Sequence, residues 1–211
     1  MLKTHKRTLI LASILTILPI LVGVYFWKEL PDPMATHFGF SGGVDGYSPK
    51  AFAVFGLPLI FLAVLWVGSV VISKDPKKQN ISSKMFTLVL WLFPVLSLVA
   101  NVAIYSVNLG YNLEMSRMVN ILLGVLFIII GNYLPKARQN YSIGIRIPWT
   151  LANEDNWNRT HRFAGFLWVI GGLLIVLLSF INFLPGYWFV SIILVIALVP
   201  CLYSFWLHVK Q

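Results

Sequence analysis

Two groups of residues in this sequence have the types that do chemistry. His37 lies between Asp32 and Asp45, and His161 lies among Trp157, Arg159 and Arg162. A histidine with carboxylates can hold a metal ion or form an acid–base pair. The spacing around His37 matches no standard ligand pattern, so no metal is expected there. Solvated turn residues, or hydrogen bonds that shape the loop, are the expected roles of His37 and Asp45. Phe38, Phe40 and Tyr47 beside them are aromatics able to meet a partner. His161 has no nearby Ser or Cys nucleophile in its segment, which makes a catalytic reading poor. Cys201 is the lone cysteine, set in an apolar run. It can form neither an internal disulfide nor a zinc cluster and reads as packing. The expectation is a protein that is not an enzyme and needs no cofactor.

The elements that must carry these groups follow from composition. Of 211 residues, 58% are hydrophobic and 11% charged; a soluble domain carries about 25% charged residues. The bilayer is the solvent that fits. Uncharged runs cover residues 8–27, 51–73, 85–113, 118–135 and 163–207. The third is predicted to end as a helix within 108–112, where Gly and Asn suit a C-terminus. The last is too long for one crossing and is expected to turn at Pro185-Gly186, with Tyr187 and Trp188 as interfacial anchors. The first run resembles a signal peptide, but it is long for one and Trp27-Lys28-Glu29-Leu30 offers no small-residue cleavage site. The expected fold class is all-α, a polytopic membrane protein of six transmembrane helices. Pro19, Pro58, Pro94 and Pro200 fall inside predicted helices, where neighbours must satisfy the freed carbonyls.

The net charge of +9 is spread in short clusters between apolar runs, not in one stripe. That pattern encodes topology and argues against direct nucleic-acid binding. With both termini in the cytoplasm, Lys3, Lys6, Arg7, Lys74, Lys77, Lys78, Lys84, Lys136, Arg138, Arg146, Arg159, Arg162 and Lys210 lie inside, 13 of the 16 basic residues. Only Lys28, Lys50 and Arg117 fall outside. The sequence divides into an N-terminal membrane domain over 1–84, with an outer loop at 28–50, and a second membrane domain over 85–211, with a cytoplasmic segment at 135–162.

In the outer loop, Pro31 and Pro33 keep the start extended, and Gly39, Gly42, Gly43 and Gly46 permit turns, Asp45-Gly46 most clearly. In the inner segment, Pro148 disfavours helix at Ile147, so residues 146–148 are predicted extended. Asn153 is the expected N-cap of a helix with Glu154 and Asp155 in its first turn, continuing into the fifth crossing. Asp155 and Arg159 are spaced i,i+4, and Trp157 and His161 share a face. Two readings stand open for this segment. It is an interfacial anchor, with Trp149 and Trp157 at headgroup depth and Arg138, Arg146, Arg159 and Arg162 on lipid phosphates, or it is a docking surface for a partner.

The residues Gly131-Asn132, Asn140, Gly144-Ile145-Arg146, Pro148-Trp149-Thr150, Trp157 and Thr160-His161-Arg162 resemble the signature of SdpI-like bacterial immunity proteins. Leu30-Pro31, His37-Phe38-Gly39, Gly43, Asp45-Gly46 and Lys50 are similar to an uncharacterised membrane domain often found ahead of that signature. One departure is Ile147, where the family commonly has Thr. The resemblance implies an integral protein of the bacterial plasma membrane that resists a secreted killing peptide. It further implies that such a protein can hold a small cytoplasmic transcriptional repressor at the membrane. On this reading His37, Phe38, Gly39, Asp45, Gly46 and Lys50 face the toxin. Asn140, Gly144, Arg146, Pro148, Trp149, Trp157, Arg159, His161 and Arg162 face a cytoplasmic partner or lipid. A small transporter or channel is the alternative, but no Asp, Glu, Lys, Arg or His falls in the middle of a predicted helix, where ion paths usually carry one. Interhelical hydrogen bonds are the expected role of Asn101, Asn108, Asn120, Asn132 and Asn182. A membrane enzyme using His37, Asp45 or His161 has no motif behind it.

Overall fold

The computed structural model describes residues 1–39, 42–181 and 186–210, without the side chains of Gly186 and Tyr187. Phe40, Asn182, Pro185 and the Tyr187 ring, all named above, lie outside the described residues. Among the described residues seven α-helices and one hairpin follow in order: α1 Lys6–Tyr25, β1 Met34–Phe38, β2 Val44–Ser48, α2 Phe52–Ser73, α3 Ser83–Asn108, α4 Met115–Tyr133, α5 Pro148–Ala152, α6 Glu154–Phe180 and α7 Gly186–Val209. All but the short α5 are long and apolar enough to cross a membrane.

The helix ends are set by local chemistry. Gly110, at φ +87, terminates α3: its N–H donates to the Val107 carbonyl (3.1 Å) and that of Tyr111 to the Ser106 carbonyl (2.9 Å). These are the two bonds of a Schellman stop, and the left-handed residue between them is a glycine. Asn153 caps α6, its side-chain oxygen accepting from the Asn156 N–H at 3.0 Å. The prolines are accommodated individually. Pro200 frees the Ile196 carbonyl in α7, and Trp168 Nε1 of α6 donates to that oxygen at 2.8 Å. Pro58 sits at the start of the regular part of α2, after a π-helical turn over Phe52–Gly56, where its missing N–H is tolerated.

Contacts divide the chain into two compact units, residues 1–74 with 83–115 and residues 75–82 with 116–211. The first joins α1, α2 and α3 to the hairpin. Its buried cluster is Leu30, Met34, Ala53, Val54, Ile104 and Tyr105, with Phe26, Trp27, Phe38, Leu57 and Leu109 against it. Within the same unit Ser97 Oγ donates to the Thr16 carbonyl of α1 at 2.7 Å. Asn101 bonds only within its own helix, to the Ser97 carbonyl, and its Oδ1 is buried without a partner; it does not make the interhelical bond expected of it.

In the second unit, α4 and α6 approach backbone to backbone at two levels. A Cβ on Gly131 would lie 2.9 Å from the Gly165 carbonyl oxygen, and one on Gly124 would lie 2.8 Å from that of Gly172. Lipid offers no hydrophobic drive for helices to associate, so close packing through small residues takes its place.

The polar segments depart from expectation in two places. The outer loop is an antiparallel hairpin, with Met34 opposite Ser48 and Phe38 opposite Val44. Asp45-Gly46 lies inside β2, not in the turn, because ladder pairing of Gly46 with His37 claims it. Beyond the ladder, the Gly39 N–H donates to the Gly43 carbonyl (2.9 Å) and Gly42 has φ +84. Ile147 is extended, at φ −111 and ψ 158, as Pro148 requires, but Pro148 itself opens α5. Its missing N–H costs nothing at a first helical position.

Candidate functional site

Chemistry-bearing residues gather in two places, one in each unit. The hairpin is the first. His37 Nδ1 and Asp45 Oδ1 are 2.5 Å apart across the strands, with side chains 75% and 51% exposed. Thr36 and Ser48 hydroxyls meet at 2.8 Å. Asp32 does not join His37: its Oδ1 accepts the Lys50 N–H at 3.0 Å and closes the hairpin base. Lys50 Nζ donates to the Trp27 carbonyl (3.1 Å) and stands 5.2 Å from the centre of the Trp27 ring. Among the described residues no three His, Cys, Asp or Glu side chains cluster as metal ligands would. Of the six residues expected to face a toxin, His37 and Asp45 are exposed. Phe38 is turned onto the buried cluster, and the Gly39, Gly46 and Lys50 positions are half-buried.

The second place is a polar knot that ties residues 75–80 to residues 137–161. Asp75, 4% exposed, accepts from the Lys77 N–H (2.7 Å), the Tyr141 N–H (2.9 Å) and the Ser142 hydroxyl (2.5 Å). Gln139 donates to the Thr150 and Leu151 carbonyls at 2.9 and 3.0 Å and accepts from Lys77 Nζ, while Asn80 donates to its backbone carbonyl at 2.7 Å. Asn140 braces its own loop. Its Oδ1 accepts from Ser142 and Ile143 N–H, and its Nδ2 donates to Arg138 and Ile143 carbonyls. Thr150 Oγ1 donates toward the Ile145 and Ile147 carbonyls at 2.8 and 2.9 Å and accepts the Ile147 N–H at 3.1 Å. Position 147, where Ile replaces the family's usual Thr, takes part here through its backbone.

His161 and Trp157 form the knot's floor, their rings stacked at 4.0 Å. His161 Nδ1 lies 2.8 Å from the Trp157 carbonyl and its Nε2 accepts the Ile145 N–H at 2.9 Å. A carbonyl only accepts and an amide only donates, so these two bonds fix a neutral ring protonated at Nδ1. Trp157 Nε1 donates to the Ala137 carbonyl at 2.7 Å. Gly144 closes the floor at φ +118, and a Cβ there would collide with His161 Nε2. A second buried set, Asn156 with Thr160 and Ser204, ties α6 to α7. Asn156 Nδ2 donates to the Ser204 carbonyl (2.9 Å), and its Oδ1 accepts from the Ser204 and Thr160 hydroxyls (2.5 and 3.1 Å). Trp149 adds a tie, its ring 5.3 Å from Phe205 and 6.0 Å from His208.

This arrangement corrects the docking and anchoring roles expected of three residues. Trp157 is fully buried, His161 is 1% exposed and Asn140 is 2% exposed. Their polar atoms are taken up by backbone groups, so they cannot meet a partner or a lipid headgroup. Arg138, Tyr141, Arg146, Pro148, Arg159 and Arg162 form the exposed rim. Arg146 Nη1 donates to the Tyr141 carbonyl at 2.7 Å, and Arg159 pairs with Asp155 at 3.6 Å. Asp75, Gln139, Asn156 and Ser204 were not singled out from the sequence. Asp75 carried a usable signal, as the lone acid in a loop of lysines; Ser204 carried none.

Residues 136–204 match the SdpI/YfhL protein family, which brackets most of the knot and its ties. Residues 14–62 match a domain of unknown function, DUF1648, which takes in the C-terminal part of α1, the hairpin and the first half of α2. Over 199 residues the chain is 25% identical to "Immunity protein SdpI" of Bacillus subtilis (strain 168), covering 92% of this chain and 91% of that relative. No solved structure matches. Six apolar helices with this similarity make the chain a multi-pass protein of the bacterial cell membrane, similar to an immunity protein along nearly its whole length.

Proposed function

We propose that the chain is a membrane immunity protein that gives resistance to a secreted killing peptide. The hairpin faces outward and the knot faces the cytoplasm, where its basic rim can hold a transcriptional repressor. The similarity to SdpI supports the immunity reading. The observation that supports the two-sided arrangement is the charge pattern: 13 of the 16 basic residues fall in the segments this reading puts inside, and Lys28, Lys50 and Arg117 fall outside. Cytoplasmic segments carry the excess of Lys and Arg, which leaves the hairpin on the outer face. Within the second unit, the knot bonds the α2–α3 loop through Asp75 and Asn80 and the C-terminal turns of α7 through Asn156 and Trp149.

The knot's interior favours a scaffold over an active site. Both ring nitrogens of its histidine are engaged by backbone groups, and its carboxylate and amides bond backbone groups and neighbouring side chains, an arrangement that serves structure rather than proton transfer. The test is survival. Expression in a sensitive bacterium should raise survival against a cognate Sdp-type peptide. Absence of protection across a panel of such peptides, with insertion verified, would contradict the immunity reading.

A further inference from the structure

The hairpin is fixed on three of its boundaries. Its underside is packed, Met34 being fully buried and Phe38 resting on the same cluster. Its base is closed by the Lys50 N–H on Asp32. The outer edge of β1 is covered by one side chain of α3: Asn108 Oδ1 accepts the Ala35 N–H at 2.8 Å, and Asn108 Nδ2 donates to the Ala35 carbonyl at 2.9 Å. A carboxamide has one acceptor and one donor spaced like those of a peptide group, so Asn108 stands where a neighbouring strand would otherwise pair.

Among the described residues nothing equivalent covers β2. Val44, Asp45 and Tyr47 are exposed, Tyr47 by 65%. Among the described residues, the bonds reaching 44–48 are the hairpin ladder and the His37–Asp45 and Thr36–Ser48 side-chain contacts. A strand edge of this kind presents N–H and C=O groups at the repeat of an extended chain, and another extended backbone satisfies them. We propose that the free edge of β2 is a strand-addition site for an extended segment of a secreted peptide, which becomes the third strand of the sheet. The proposal rests on the immunity reading and specifies how the hairpin takes its ligand. Because β1 is closed by Asn108, addition occurs on the β2 side only. The two irregularities in the β1–β2 register and the carboxylate of Asp45 disfavour indiscriminate pairing. The fitting segment lacks proline at its paired positions and places apolar or aromatic side chains beside Val44 and Tyr47. Opposite Asp45 it carries a neutral or basic residue, since like charges across strands repel.

The test uses the full chain in nanodiscs with a panel of synthetic Sdp-type peptides, and survival of cells expressing the chain against the same panel. With a peptide that the chain resists, hydrogen exchange of amides in 44–48 should slow by about tenfold or more, while the ends of α1 and α3 change little. That peptide, labelled with carbonyl ¹³C, should show an extended-strand amide band when bound. Tyr47→Pro and Val44→Pro provide a second arm. The one whose N–H points outward should lose resistance, while Ala at the same position keeps it at matched abundance. Resistance with unchanged exchange in 44–48, or a bound peptide that is helical, overturns the strand-addition site and leaves the immunity reading standing. Protection that appears without peptide and grows with chain concentration assigns the edge to a second copy and also overturns it. Resistance to no peptide in the panel overturns both.

Discussion

The hairpin and the knot are the two polar regions of an otherwise apolar chain, and they use their polar residues in opposite ways. In the hairpin, the charged side chains stand at the surface and the backbone of β2 is open, while apolar Met34 and Phe38 do the anchoring. In the knot, the polar side chains are the anchors. Asp75, Gln139, Asn140, Thr150 and His161 are buried and hold the backbone of a loop that has little regular structure of its own. A buried backbone group without a partner costs about as much as a lost hydrogen bond, so a non-helical segment can be kept compact only where side chains replace the helix ladder. A chemically suggestive motif can therefore be scaffold, as the buried side chains of the knot are.

Breaking the knot should produce the largest effects. Trp157→Ala empties a fully buried site and strands the Ala137 carbonyl, with an expected loss of about 3–5 kcal/mol, read as thermal unfolding in detergent and as reduced abundance. Gly144→Ala combines a left-handed backbone with the collision against His161 and should cost about 2–3 kcal/mol. His161→Phe keeps the ring but removes the acceptor for the Ile145 N–H, an expected loss of about 1–3 kcal/mol. If Gly144→Ala and His161→Phe unfold at the wild-type temperature, the knot is not the scaffold described here.

The exposed residues of both regions should behave differently. Arg146→Ala and Arg162→Ala remove rim charges that carry no buried bond, so stability should stay within about 0.5 kcal/mol. Partner recruitment, measured as membrane localisation of a tagged repressor, should fall. His37→Ala should be smaller still in stability, since an exposed pair contributes about 0–1 kcal/mol, yet it should lower resistance. The orientation of the comparison is checked by labelling. Tyr47→Cys in a Cys201→Ser background should react with an impermeant thiol reagent on intact cells, and a reporter after Gln211 should read cytoplasmic. An external C-terminal reporter would put the knot on the wrong face for a cytoplasmic partner.

Much of the architecture was legible because the bilayer simplifies the code. Long uncharged runs placed the six crossings, Gly110 ended α3, and Asn153 began α6 where a cap was expected. The hairpin was not legible as strands, since Gly39, Gly42, Gly43 and Gly46 make any turn permissible and the pairing that chooses among them depends on Met34 and Phe38 finding the core. The segment's importance could be read over 135–162, but not which side chains point inward. Trp157 and His161 share a helix face, and nothing local says whether that face meets solvent, lipid or the loop folded back over it. Asn156 and Ser204 are 48 positions apart and meet only because α6 and α7 pack. No sequence window holds both.

On the proposed function, resistance and recruitment belong to separate surfaces. The direct measurement is a survival assay paired with repressor localisation, on variants matched for abundance in the membrane. His37→Ala and Asp45→Ala should lose resistance and keep recruitment of the repressor by the knot's rim, tested with recruitment driven independently of peptide. Arg146→Ala and Arg162→Ala should keep resistance and lose recruitment. Parallel loss of both activities in both sets would contradict the account and make the rim part of the same scaffold as the knot beneath it.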